Sequence, residues 1–99
     1  MRTFNQQRNF EVLKSLLKEK ESQGYVIKEV TEEGDVMGEL LGCQFDSEER
    51  GGYVYFWSTG VVGRQLLDYK TGEELIEDAT GEMDDDKVSV LITELVAKL

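Results

Sequence analysis

The sequence predicts an α+β domain: a five-stranded antiparallel meander sheet with an N-terminal and a C-terminal helix packed on one face. Three observations carry this. Apolar residues recur at helical spacing near the two ends of the chain, the runs between them are rich in β-branched residues, and every connection between those runs is short. Short connections join antiparallel neighbours, and two amphipathic helices flanking one sheet bury their stripes by covering the same face. At 99 residues the chain is expected to form one domain, residues 1–99, with a single core that buries roughly two thirds of the unfolded surface.

Residues 4 to 22 read as the first helix. Phe10, Leu13, Leu16 and Leu17 recur at its spacing, while Lys14, Lys18, Glu19 and Glu21 fall mostly outside that stripe. Gly24 follows as a C-terminal stop, because glycine enters the left-handed cap conformation without a Cβ penalty. "YVIKEVTEE" supplies a first strand near residues 25 to 31, and "EEGD" at 32 to 35 reads as a turn. "VMGELLGCQFD" is the second strand, where Gly38 and Gly42 mark a bulge or a close backbone approach. The third strand covers residues 52 to 58 and "STG" turns it into a fourth, "VVGRQLLDY". Within "DYKTGEE" a glycine stands where a hairpin loop needs positive φ, so Leu66 to Tyr69 should pair with Glu73 to Asp78. The tail from Met83 is the second helix. Val88, Leu91, Ile92, Leu95 and Leu99 form its stripe, Asp84, Asp85 and Asp86 sit at its start, and Glu94 and Lys98 make an i,i+4 pair.

Charge narrows the classes of partner. The net charge is −10, and residues 31 to 99 hold five Lys/Arg against seventeen Asp/Glu. Such a balance repels phosphate, so nucleic acid and anionic membrane are unfavourable partners and a basic protein surface is a favourable one. The same charge also serves solubility alone. No apolar run approaches the roughly 18 residues of a membrane span. "MRTFNQQRNF" has no apolar signal-peptide region, and the one cysteine, Cys43, has no intramolecular disulfide partner. Together these point to the cytoplasm.

The inventory of reactive groups is thin. There is no histidine, which removes the commonest general base and zinc ligand. Cys43 then reads as a small apolar strand residue rather than a nucleophile. Ser58 and Thr59 stand in a turn without a base, and the glycines of "GGYVYFWSTGVVG" lack the lysine of a phosphate loop. Paired carboxylates are abundant enough for acid/base work, yet eight of them fall within residues 73 to 86 without calcium-loop spacing and read as surface. The expectation is a non-enzyme with no cofactor and no metal.

"GGYVYFWSTG" at 51 to 60 concentrates four of the nine aromatic residues on one strand. Alternation points Tyr53, Tyr55 and Trp57 one way and Val54, Phe56 and Ser58 the other. If both helices cover Val54 and Phe56, the three amphipathic rings lie on the open face, where Trp and Tyr serve as binding anchors. The alternatives are that Met37, Leu41 or Tyr69 cover them, or that the faces are reversed.

The run "GGYVYFWSTG", the hairpin "LLDYKTGEELIED" and the acidic lead into a Leu-rich last helix resemble the TriTu-type immunity proteins of Rhs polymorphic toxin systems. The likeness covers about residues 51 to 99, and none of its motifs is catalytic. It implies a protein that binds a cognate toxin domain, an ADP-ribosyltransferase, and occludes its NAD cleft. On that expectation Tyr53, Tyr55 and Trp57 are the anchors, Glu73, Glu74, Glu77 and Asp78 supply the charge, and the free protein is a monomer. The competing readings are an acidic nucleic-acid-mimic inhibitor of a phage or plasmid system, and a homo-oligomeric module that uses the same aromatic face.

Overall fold

The computed structural model describes residues 3–99. Its elements run α1 (Gln6–Lys18), a 3-10 turn (Glu19–Gln23), β1 (Val26–Asp35), β2 (Gly38–Asp46), β3 (Arg50–Trp57), β4 (Val61–Asp68), β5 (Glu74–Glu82) and α2 (Asp85–Lys98). The five strands pair in chain order, all antiparallel. This is the α+β meander with terminal helices that the sequence predicts.

The core lies between the sheet and the helices. Phe10, Leu13 and Leu17 of α1 and Val88, Leu91, Ile92 and Leu95 of α2 meet Cys43, Phe45, Val54, Phe56, Val62, Leu66 and Ile76 of the sheet. Each helix therefore buries the stripe its periodicity predicts. Leu16 and Leu99 pack only at the margin of this cluster.

Both helix starts are tied at one end of the fold. Asn5 caps α1 by accepting from the Arg8 N–H (3.0 Å), and Asp84 caps α2 by accepting from the Lys87 N–H (2.9 Å). One carboxylate oxygen of Asp85 accepts from the Asn5 backbone N–H (2.9 Å) and from Asn9 Nδ2 (3.0 Å). It thereby satisfies the one buried polar side chain of α1. These bonds hold the Asp85 carboxyl below the usual carboxylate range, the Asn5 N–H acting most and the Asn9 amide next. Gln6 Nε2 donates to the carbonyls of Glu39 and Phe56 (2.8 Å each) and fixes α1 across β2 and β3.

Local geometry departs from the sequence expectation in four places. The first helix is shorter than residues 4 to 22, since its α-helical part ends at Lys18 and one 3-10 turn reaches Gly24, left-handed at φ +95°. The turn expected at 32 to 35 instead falls at Val36 and Met37, because an irregularity between Glu32 and Asp35 lets β1 continue and Gly38 takes φ +88°. The third strand starts at Arg50 and ends at Trp57, which leaves Ser58 in the turn. The last hairpin extends well past Asp78, with Gly72 at φ +75° as its loop requires and two register shifts in the β4–β5 ladder. Gly42 marks the close approach: a Cβ there would stand 2.6 Å from the Val54 carbonyl oxygen and from the Tyr55 ring.

Candidate functional site

The face of the sheet away from the helices carries the aromatic row. Val54 and Phe56 are fully buried in the core, so alternation places Tyr53, Tyr55 and Trp57 on the opposite face, where each stays partly exposed. Among the described residues no helix covers that face, since the buried side chains of both helices belong to the cluster with Val54 and Phe56. The Tyr53 and Tyr55 rings stack with centroids 4.6 Å apart, and Tyr55 meets Trp57 edge-on at 5.9 Å. Side chains two apart on a strand lie on one face, and the quadrupoles of their rings favour these offset and edge contacts.

Glycine in the neighbouring strands makes room for the row. Gly42 stands opposite Tyr55 on β2, and Gly63 stands opposite it on β4. A Cβ on Gly63 would sit 3.2 Å from Trp57 and 3.4 Å from Tyr53, so both rings lie over its bare backbone. Trp57 pairs with Leu40, which is only 6% exposed although it stands outside the helix-facing cluster. Leu40 is therefore the apolar cross-strand neighbour of the indole on this face. Leu41, the cover weighed from the sequence, pairs with Phe56 and packs against the core instead.

Polar partners fix the phenols. Tyr53 Oη donates to Asp78 Oδ1, and Tyr55 Oη accepts from Gln44 Nε2 at 2.6 Å. Burial, together with the Asp78 carboxylate, pushes the Tyr53 phenol up to about 12. Nearby, Tyr69 Oη donates to Asp46 Oδ1 across Gly51, where any Cβ would collide with both groups. That bond and partial burial raise the Tyr69 phenol as well. Between these two sets runs an open groove of about 610 Å³, bounded by Tyr53, Tyr55, Tyr69, Leu67, Val26 and Lys28.

The four carboxylates expected beside the row do not act as one group. Asp78 joins it directly through Tyr53. Glu74 joins it at one remove, accepting from Gln65 Nε2 (3.3 Å) opposite Tyr53 and from the Asp78 N–H (2.9 Å). Glu77 instead lines a groove on the helix side with Arg64, Met83, Val90 and Glu94. Glu73 stays exposed in the hairpin loop, bonded through its backbone. The bulge decides which of two neighbours joins the row: Glu77 and Asp78 both stand opposite Gln65, so alternation counted from the buried Ile76 does not carry through, and Asp78 rather than Glu77 reaches Tyr53. Sequence reasoning passed over Asp46, Gln44, Lys28 and Leu40, whose membership of this face follows only from strand register.

Cys43 lies on the other face, fully buried and free. Burial, with Glu29 adding to it, pushes its thiol up to about 11, which makes it a poor nucleophile at neutral pH. Among the described residues no three His, Cys, Asp or Glu side chains form a group that could hold a metal ion, and no helix is long and apolar enough to cross a membrane.

No protein-family model matches the chain, and neither a curated protein nor a solved structure does so.

Proposed function

We propose that this protein is an immunity protein without catalytic activity of its own, which binds a cognate toxin through the uncovered face of its sheet. The observation that carries the reading is that face: a packed row of Tyr53, Tyr55 and Trp57 left partly exposed in a small domain whose helices cover the other side. Aromatic side chains with a polar tip give large contact area at low entropic cost, which is why they dominate binding hot spots. Among the described residues, strand alternation places five carboxylates, Glu32, Asp46, Glu74, Asp78 and Glu82, on this face with one cation, Lys28. A basic surface would be steered to it.

The likeness of residues 51 to 99 to TriTu-type immunity proteins supplies the class of partner. It is an ADP-ribosyltransferase toxin whose NAD cleft must attract phosphates and is therefore basic, so an acidic aromatic face would occlude it in the cytoplasm of the producing cell. No cofactor enters this function. Co-expression with the toxin-like product of the adjoining reading frame tests the reading. The wild-type chain should restore growth, whereas Tyr55→Ala and Trp57→Ala, each checked for an unchanged circular dichroism spectrum, should weaken the complex by about 2–4 kcal/mol. Full protection by the folded double variant would remove the aromatic face from the function.

A further inference from the structure

The groove beside the aromatic row has a chemistry more specific than an acidic surface. Its floor is backbone, since Gly51 and Gly52 both line it. One wall is the Tyr53–Tyr55 stack, and Tyr69, 49% exposed, borders it with its hydroxyl held by Asp46. Asp46 Oδ1 is engaged by that hydroxyl, and its second oxygen has no hydrogen-bond partner among the described residues. Asp78 and Glu74 stand one side chain further out, behind Tyr53 and Gln65. Flat electron-rich faces next to an unsaturated carboxylate are the surroundings that a guanidinium prefers. It stacks on an aromatic face while its in-plane N–H groups reach an acid.

We infer that this groove receives an arginine side chain presented by the protein partner. The inference rests on the reading that this face docks a protein, and it names the group that enters beside the aromatic anchors. Lys28, which also lines the groove, gives the idea a signed test, because it opposes an incoming cation and would favour an incoming anion. Asp46 has the reverse effect.

The experiment is an NMR titration of the ¹⁵N-labelled full chain at low salt with the capped peptide acetyl-Gly-Arg-Gly-amide, and in parallel with its Glu counterpart. The arginine peptide should give saturable shifts at the Gly51, Gly52 and Tyr53 amides, and the glutamate peptide should not. Asp46→Asn, which keeps an acceptor for Tyr69, should weaken binding roughly two- to fivefold, and Lys28→Gln should strengthen it by a similar factor, as expected for exposed charge pairs. Equal response to both peptides, no saturation, or weaker binding by Lys28→Gln overturns the inference. Growth protection separates this failure from that of the wider reading. If the peptide fails while Tyr55→Ala and Trp57→Ala still abolish protection, only the arginine assignment falls; if those variants protect fully, the docking reading falls and the assignment with it.

Discussion

Replacing Phe56 and Trp57 by alanine, one at a time, tests the two faces of β3 against each other. Phe56 is fully buried, sits 6.4 Å from the Phe4 ring, and belongs to the core cluster. Its truncation opens a cavity that the rigid sheet cannot close, with a cost of about 3–5 kcal/mol. Trp57 is partly exposed. It loses one edge contact with Tyr55, worth about 0.5–1.5 kcal/mol, and uncovers part of Leu40, for a total of roughly 1–2.5 kcal/mol. At about 4–8 °C per kcal/mol for a domain of this size, the melting temperature should fall by at least about 12 °C for Phe56→Ala and roughly 4–20 °C for Trp57→Ala. Urea unfolding followed by far-ultraviolet circular dichroism is the assay, since Trp57 is the only tryptophan and its removal deletes the fluorescence probe. A Trp57→Ala protein as unstable as Phe56→Ala, with an unchanged urea slope, would mean that the indole is core and that the open face has been assigned to the wrong side.

Three further outcomes are expected. Gly42→Ala should be strongly destabilising, by about 2 kcal/mol or more, because its Cβ meets backbone at 2.6 Å; Gly72→Ala meets nothing within 4 Å and should cost only about 1 kcal/mol from its left-handed φ. Chemical denaturation of both variants checks the order, and the reverse order would contradict the packing at the β2–β3 contact. Asp85→Ala should lose about 1–2 kcal/mol, chiefly by stranding the buried Asn9 amide, whereas Asp85→Asn, which keeps an acceptor, should lose less. Because the folded Asp85 carboxyl titrates below its unfolded value, its contribution is present above about pH 4 and declines as the pH falls through the folded value, a decline the alanine variant should lack in acid melts. Cys43 should resist a thiol reagent at pH 8 in the native state and react fully in urea. Since its folded pKa is raised to about 11, it supports the fold below the unfolded value of about 9 and loses that contribution between roughly pH 9 and 11. Rapid native labelling would show that the sheet opens at β2.

Much of the fold was legible because its signals are local. The α2 stripe from Val88 to Leu95 is a spacing, the Asp84 cap is one residue type at one place, and the left-handed glycines at 24 and 72 lie where the chain must reverse without a Cβ. The predicted Glu94–Lys98 pair is likewise local, and its charged atoms lie 3.1 Å apart. The missed turn at Val36 and Met37 had a different cause. "EEGD" has turn composition, but pairing with β2 outweighed it and drew residues 32 to 35 into the strand. Composition describes what a segment tolerates, and the ladder decides what it does.

The sequence by itself determined the layer structure and the two faces of β3, because periods of 3.6 and 2 are properties of a single segment. Which residues share the outer face was decided only by tertiary structure. Register sets Leu40 beside Trp57 and Gly63 beneath the rings, and it brings Asp46 to Tyr69 across 23 residues of chain. The bulge in β5 shifts the phase of alternation after Ile76, so that Asp78 reaches Tyr53 on the outer face while Glu77 lies on the helix side. One extra residue between two hydrogen-bonded pairs is enough to turn a side chain over, and nothing in the local pattern of charges records where that residue falls.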